Sequence, residues 1–491
     1  MAQLVTSPKR IATNSAYFLA ANIFSKAVVF VYLAIIFRFL PPEEEGFYLF
    51  ATSIASILSI HFHSGMTFIL IREMAVNKAR TSELLGDGLI LSAALFIAVT
   101  ILSFIAAGII VYVVGDPPVV GYGIIAITFA TSFSYIFGVF GAGFKAHEKL
   151  GFEAVIMIFH SILSLIVYWY ICRPGQTLTD VFTAIAAVGV VTNLLSWLVG
   201  VMVVGKPSLR IRRDSLRTLI IDSIPLGAAD VIRTFYMRAG NLALRIFQGY
   251  ATISSFGVPY QITEQLKIIP GSIRPAIFPV MCRLATGYRS GFEWVYNFLM
   301  RLLVVIALPI SLMLMAGSGL ILKFYLGPDT SNDAILALRI LSLIIGISFP
   351  SLVIRNIFIA LGRQRLDTLI SAAALAMNVV LMVALVPPFG VLGAVAAVFV
   401  AEVFLFVIGI FYVYRLGSRL DFIGVFAKPI FCSLPLIAAM LYTPREGLIG
   451  PRLGIYFGCI ALYVILVFVT RTLSKRDIEN LRHITRGEEP E

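Results

Sequence analysis

The stretch IPLGAADVIRTFYMRAGNLALRIF, Ile224 to Phe247, places Asp230, Arg233, Arg238 and Arg245 inside a run that is otherwise apolar enough for a membrane helix. A guanidinium presents a fixed fork of donors that matches the oxygens of phosphate or carboxylate, and a lysine ammonium supplies a compact point charge. Holding such a charge at the centre of a bilayer costs about 2.5–3.5 kcal/mol on the insertion scale. A chain that keeps several therefore uses them, either to bind an anion or to neutralise one another. At about 100° per residue, Asp222, Asp230, Arg233, Arg238, Asn241 and Arg245 fall within about half of the helix circumference. That face looks at protein or at a water-filled cavity, not at lipid.

Other apolar runs carry the same kind of residue. Lys26 lies midway along the first, Lys267 and Arg274 share one face of the eighth, and Glu264 stands one turn before Lys267. Arg355 is in the inner half of the tenth run and Glu402 near the middle of the twelfth. Two readings stay open for the acids. Asp230–Arg233 and Glu264–Lys267 have the i, i+3 spacing of ion pairs on a helix, which leaves Lys26, Arg238 and Arg274 in excess. Glu402 is either a proton or cation site or a helix-packing hydrogen bond. Arg38, Arg245 and Arg339 are close enough to span ends to snorkel. His61 and His63 read as ordinary polar helix contacts, and scattered tyrosines such as Tyr17, Tyr32, Tyr236, Tyr260 and Tyr296 as packing and interface anchors.

The elements that must position these groups follow from composition. The 491 residues are 59% hydrophobic and only 13% charged, with a mean hydropathy of +0.95. A soluble domain carries about 25% charged residues. Apolar runs of about 20–28 residues, the length that crosses about 30 Å of hydrocarbon, recur from Ala12 to Thr470. About fourteen can be read, at 12–37, 46–70, 87–114, 119–143, 152–171, 180–204, 219–246, 250–281, 294–316, 335–360, 367–386, 389–412, 421–442 and 453–471. The pairs Pro41-Pro42, Pro117-Pro118 and Pro387-Pro388 mark turns between them. The first run is too long for the apolar core of a cleavable signal and is expected to remain as a helix.

With the N-terminus inside, roughly 23 lysines and arginines fall in inner connections and the C-terminal tail, against roughly seven outside. Both termini are expected to be cytoplasmic. The net charge of +12 is then a topology signal, so nucleic acid is not an expected partner. Cys172, Cys282, Cys432 and Cys459 are dispersed, without a CxxC or Cys/His cluster, which supports neither a metal site nor a disulfide framework. No connection is long enough to hold a soluble catalytic domain.

Two halves are alike in pattern. AIIFRFLPPEEEGFYLF (Ala34 to Phe50) and LALRIFQGYATISSFGVPY (Leu242 to Tyr260) each give a helix, an arginine, a polar turn, and glycine before an apolar run. GAGFKAHEKLGFEA (Gly141 to Ala154) and FIALGRQRLDTLI (Phe358 to Ile370) are comparable basic inner loops. Such repeats suit a transporter of two bundles.

Several segments, in order, carry a family resemblance. The N-terminal stretch NSAYFLAANIFSKAVVFVYLAIIFRFLPPEEEGFYLFATSI has an early asparagine, then Arg38-Phe39-Leu40-Pro41-Pro42 and Gly46-Phe47-Tyr48. SGMTFILIREMA holds Arg72 and Glu73, GSIRPAIFPVMCRLA closes the eighth run, and PPFGVLGAVAAVFVAEVF opens the twelfth. Together these resemble Wzx-type oligosaccharide and polysaccharide flippases of the multidrug/oligosaccharidyl-lipid/polysaccharide (MOP) superfamily. The prolyl, triply acidic turn at 41–45 and the basic seventh run depart from the family pattern.

The expectation is an all-α polytopic membrane protein of about fourteen helices. The resemblance implies two six-helix lobes around a central cavity, with two further helices. The lobes are expected at 1–204 and 219–412, joined by a basic cytoplasmic linker at 205–218. The extra helices lie at 413–471, followed by a cytoplasmic tail at 472–491. The resemblance also implies a non-enzymatic flippase. It would carry an isoprenoid-(di)phosphate-linked oligosaccharide from the cytoplasmic to the outer leaflet of the cell membrane by alternating access. Lys26, Asp230, Arg233, Arg238, Lys267 and Arg274 would form a cationic substrate-binding cavity, with Glu264, Arg355 and Glu402 as coupling or secondary groups. No metal or cofactor is expected. The expected partners are the lipid-linked substrate, membrane lipid and polysaccharide assembly proteins. The rivals are a drug/cation antiporter of the same superfamily, and a membrane glycosyltransferase or polysaccharide polymerase.

Overall fold

The computed structural model describes residues 8–59, 62–210, 212–287, 289–417, 419–442 and 449–473. His61 and most of the expected tail lie outside these residues. The described chain is helical, without a strand. The first helices are α1 (Pro8–Phe39), α2 (Pro42–Leu58), α3 (Phe62–Val76), α4 (Thr81–Gly108), α5 (Pro118–Ala146), α6 (Leu150–Ile171), α7 (Leu178–Val203) and α8 (Arg213–Phe247). Then follow α9 (Ala251–Leu266), α10 (Ile268–Gly287), α11 (Arg289–Ala316), α12 (Ser318–Leu326), α13 (Asn332–Ala360), α14 (Gln364–Arg415), α15 (Lys428–Tyr442) and α16 (Ile449–Val469).

Local chemistry sets the ends. Pro42 and Pro118 begin α2 and α5, where a missing N–H costs no hydrogen bond. Thr177 and Asp180 form a reciprocal capping box at the start of α7. Ser331 accepts from the Ala334 N–H at 3.1 Å and caps α13. Within α14, Pro387 and Pro388 remove ladder donors and Gly390 takes φ 54°, ψ −127°, so two helices meet there at a kink. A Cβ at Gly393 would collide with the Leu385 carbonyl, so only glycine permits that close return.

Among the described residues, nine helices are long and apolar enough to cross a membrane, and α14 counts once although it covers two predicted spans. Each of the other four predicted spans also coincides with helix. Span 46–70 is interrupted at Ser59, and 250–281 is divided at Lys267, between α9 and α10. Span 219–246 is α8, which is too highly charged. Of α16, Gly454–Val469 is apolar but shorter. The sequence reading did not anticipate α12.

The chain forms two compact units, Met1–Ser254 and Ser255–Glu491. In the first, α5 packs on α4 and α7, α1 on α6, and α2 and α3 on α5. A hydrophobic cluster of Met66, Leu70, Leu85, Phe140 and Phe144 joins α3, α4 and α5. The basic linker is stitched to the start of α4: the Ser208 N–H donates to the Ser82 carbonyl at 2.8 Å, and Ser82 Oγ donates to the Lys206 carbonyl at 2.7 Å. Beside them the buried Asp87 accepts from Ser215 at 2.7 Å and pairs with Arg212 at 3.2 Å.

The α8 helix packs against α2 and α3 of the same unit, and the division falls one helix later than the expected lobe boundary at 205–218. Two polar contacts also tie α8 to these helices. Asn241 donates to Ser53 at 2.9 Å, and Asp222 stands 3.7 Å from Arg72.

In the second unit, α13 lies between α11 and α14, and α10 packs on α11 and α13. The last two helices dock through Val305, Cys432, Leu436, Tyr463 and Val467, with the Tyr463 hydroxyl donating to the Val305 carbonyl at 2.8 Å.

Candidate functional site

A cavity of about 560 Å³ lies inside the first unit, walled by five helices. From α1 come Asn22, Ser25, Lys26 and Val29, at i, i+3, i+4 and i+7 on one face. His63 and Thr67 come from α3. Tyr135, Gly138 and Lys145 come from α5, Glu153 and His160 from α6, and Asn193 and Ser196 from α7. Ser25 Oγ donates to the Met157 carbonyl at 3.4 Å, which ties α1 to α6 at the cavity wall.

The polar groups are partly engaged with each other. Lys145 Nζ donates to Glu153 Oε1 at 2.7 Å. His160 Nδ1 is 3.0 Å from Thr192 Oγ1. The His63 ring stacks on Tyr135, with centroids 4.7 Å apart and planes 17° apart, and its Nε2 is 3.3 Å from Thr67 Oγ1. Gly138 makes room for that ring, since a Cβ there would stand 2.9 Å from His63 Nε2. His63 Nδ1 and Glu153 Oε2 are buried without a hydrogen-bond partner among the described residues. Lys26 also has no ion-pair partner among them. The cavity thus offers one uncompensated cation, an ion pair, two imidazoles, a phenol and several amides and hydroxyls. Such a lining suits a hydroxyl-rich ligand bearing negative charge.

The charged residues of α8 do not line this cavity. Arg233 is more than half exposed, 3.5 Å from Asp230. Arg238 lies close enough to the Tyr48 phenol on α2 to act on it electrostatically. Arg245, expected to snorkel, is instead held by Asp116. That carboxylate is buried, accepts from the Tyr250 hydroxyl at 2.6 Å, and has the Arg245 guanidinium 4.4 Å above the Tyr250 ring. The geometric reason is that the 114–117 turn reaches the end of α8, which gives the arginine a partner closer than the headgroups.

In the second unit, Lys267 is clasped by two carboxylates, Glu264 at 2.6 Å and Glu402 at 3.3 Å. It is therefore a neutralised cation: the Glu264 pair is the one its i, i+3 spacing offered, and Glu402 is a second partner. Glu402 is buried and accepts from Lys267. Arg355 donates to Asp367 at 2.9 Å, which joins α13 to α14. The Arg274 side chain lies outside the described residues. Of the six expected ligands, the first-unit cavity takes Lys26 alone. Among the described residues, no cluster of His, Cys, Asp and Glu could hold a metal ion.

Residues 11–285, more than half of the chain, match the family model described as polysaccharide biosynthesis protein. The chain belongs to this family.

One relative of this chain is named as a candidate O-antigen transporter of Shigella flexneri. It is 28% identical over 148 residues, 30% of this chain and 34% of that protein. The chain thus spans about a third of that relative's length in the match. Among solved structures, lipid II flippase MurJ in an inward closed conformation is similar over 92% of this chain and 98% of its own, with a TM-score of 0.74 and 14% identity. An inward-facing MATE-family multidrug transporter of the MOP superfamily gives 82% and 99%, 0.66 and 16%. A MOP-superfamily transporter from Pyrococcus furiosus gives 83% and 96%, 0.60 and 16%. At these identities the likeness is one of fold, and the fold is that of a multi-pass membrane protein.

Sequence reasoning missed most of the family member's cavity lining. His63 was read as an ordinary contact, and Tyr135, Lys145, Glu153, His160 and Asn193 were not singled out as ligands. The signal was present: Asn22, Ser25 and Lys26 on α1, and Glu153, His160 and Ser161 on α6, form polar stripes at helical spacing in otherwise apolar runs. A search for isolated charges passes over such stripes because most of their members are neutral.

Proposed function

We propose that this protein is a flippase carrying an isoprenoid-(di)phosphate-linked oligosaccharide from the cytoplasmic to the outer leaflet by alternating access, for surface polysaccharide assembly. The supporting observation is the first-unit cavity, in which Lys26 stands uncompensated among hydroxyl, amide, imidazole and phenol groups. In this reading Lys26 attracts the phosphate. The neutral lining replaces the water lost by sugar hydroxyls, which otherwise costs several kcal/mol per unsatisfied group in hydrocarbon. The protein acts as a transporter, and the chemistry of glycan assembly belongs to other proteins.

MATE transporters share the fold, so drug or cation antiport is the second reading. An unpaired ammonium in the cavity opposes it, because it repels a cationic ligand.

The test is a deletion strain. Full-length lipid-linked glycan should accumulate on the cytoplasmic leaflet and be cleared by the intact gene but not by Lys26→Ala at equal membrane abundance. Failure to assemble the glycan at all would favour an enzyme, and full clearance by Lys26→Ala would remove the cavity from the pathway.

A further inference from the structure

A second pocket, of about 570 Å³, opens on the second unit where the α13–α14 turn meets the end of α14. Arg363, Arg365 and Arg415 line it together with Leu366, Leu369, Tyr412 and Leu416. No carboxylate is in the lining. The nearest in sequence, Asp367, is one turn from Arg363 but is engaged by Arg355 at 2.9 Å. Arg363, Arg365 and Arg415 are exposed, and none forms an ion pair among the described residues. Arg415 is held in place by stacking on Phe411, its guanidinium 5.1 Å from the ring. Three like charges around one opening repel each other until an anion joins them.

The surroundings indicate what kind of anion. Leu369 follows Arg365 by one turn on the same face of α14 and is 67% exposed. Phe411 and Tyr414 are also exposed. The arginines therefore stand at the edge of an apolar helical surface, as a headgroup stands at the edge of its acyl chains. A soluble anion would use the arginines and leave this surface idle.

We infer that this pocket is a binding site for the phosphate of an anionic phospholipid, gripped by Arg363, Arg365 and Arg415, with the acyl chain along Leu369 and Phe411. The inference is independent of the transport reading, because the ligand is bulk membrane lipid and not the transported glycan. Basic residues at a membrane surface strengthen anionic-lipid attraction about fivefold each. Three should give on the order of a hundredfold.

The full-length protein would be purified in detergent and offered an equal mixture of phosphatidylglycerol and phosphatidylcholine. Bound lipid would be counted by native mass spectrometry. The intact protein should retain phosphatidylglycerol preferentially. The variant Arg363→Gln/Arg365→Gln/Arg415→Gln should lose that preference by on the order of a hundredfold. Arg210→Gln/Arg217→Gln, which alters exposed arginines outside the pocket, should keep it. If the triple variant does not fold, Arg365→Gln alone carries the test, with about a fivefold loss. Undiminished retention in the pocket variants, or an equal loss in the Arg210/Arg217 control, overturns the site. Displacement by inorganic phosphate at the same concentration as the lipid overturns the lipid assignment and leaves a soluble-anion site.

Discussion

Lys145 Nζ lies 2.7 Å from Glu153 Oε1, an ion pair that spans the turn between α5 and α6 and closes one side of the first-unit cavity. It cancels one of the two lining lysines. The cavity's net charge therefore rests on Lys26, on a different helix, and the two lysines have separable roles.

Removing the acid should reveal that separation. Glu153→Gln leaves Lys145 unpaired. The side chains are 34% and 19% exposed, so solvent screens the pair and the expected coupling is on the order of 1 kcal/mol. A double-mutant cycle of Glu153→Gln and Lys145→Met, read by thermal unfolding in detergent, measures it. The single variant should also hold anionic ligands more tightly, since the cavity gains a positive charge. A coupling indistinguishable from zero would make the pair incidental.

Gly138→Ala tests the stacked histidine. The new Cβ would stand 2.9 Å from His63 Nε2, closer than real Cβ contacts, so the ring must leave its stack on Tyr135. Overpacking of this kind costs about 1–3 kcal/mol. Adding His63→Ala should restore most of that loss, because it removes the atoms that clash. An undisturbed Gly138→Ala, or a double variant weaker than the sum of its parts, would place the ring elsewhere.

The helical fold was legible because apolar runs of membrane length dominate the composition, and each predicted span coincides with helix. What the sequence hid was partnership. Lys267 showed only its Glu264 partner, and Arg245 looked like a snorkelling cation, because Glu402 and Asp116 stand far away along the chain. Tertiary packing brings them to 3.3 Å and into direct ion-pair contact, respectively. Pairs close along the chain, Asp230–Arg233 and Glu264–Lys267, were visible because i, i+3 spacing fixes proximity. Lys26 was found as an isolated charge, whereas His63, Tyr135 and His160 join it from helices that only packing makes neighbours. The break at Ser59 and the division at Lys267 each fall on polar residues, His61, His63 and Ser64 at the first and Glu264, Gln265 and Lys267 at the second, inside runs read as continuous.

The Asp116 cluster should matter for the end of α8. Asp116 is buried and receives both Arg245 and the Tyr250 hydroxyl. Asp116→Ala leaves an arginine and a phenol without their shared acceptor, a loss of about 3–5 kcal/mol for a broken buried pair, reduced here because Arg245 is 25% exposed. Arg245→Met in the same background should recover part of it. The measurement is the unfolding midpoint, with hydrogen exchange at residues 245–250 as a local readout. Loss spread evenly over the chain, without added exchange at 245–250, would count against a local latch.

The α5–α6 turn carries a pH dependence outside the membrane spans. His147 Nε2 is 3.0 Å from Thr81 Oγ1. Burial, and then the charges of Lys78 and Lys149, hold the His147 imidazole below its ordinary value of 6.5. The facing Thr81 is neutral, and the neighbouring Glu148 is the acid on its own turn. The folded protein thus binds the proton less readily than the unfolded chain, so stability rises with pH in this range. The contribution is fully present above about pH 6.5 and is lost as pH falls through the depressed folded value. Thermal unfolding between about pH 5 and pH 7.5 should therefore show a fall in midpoint on acidification. His147→Gln keeps a hydrogen-bonding group for Thr81 but cannot titrate, and should flatten that part of the profile. An identical slope in His147→Gln would assign the dependence to other groups. Steeper loss in a Glu148→Gln variant would show that the neighbouring carboxylate partly offsets the two lysines when the imidazole is charged.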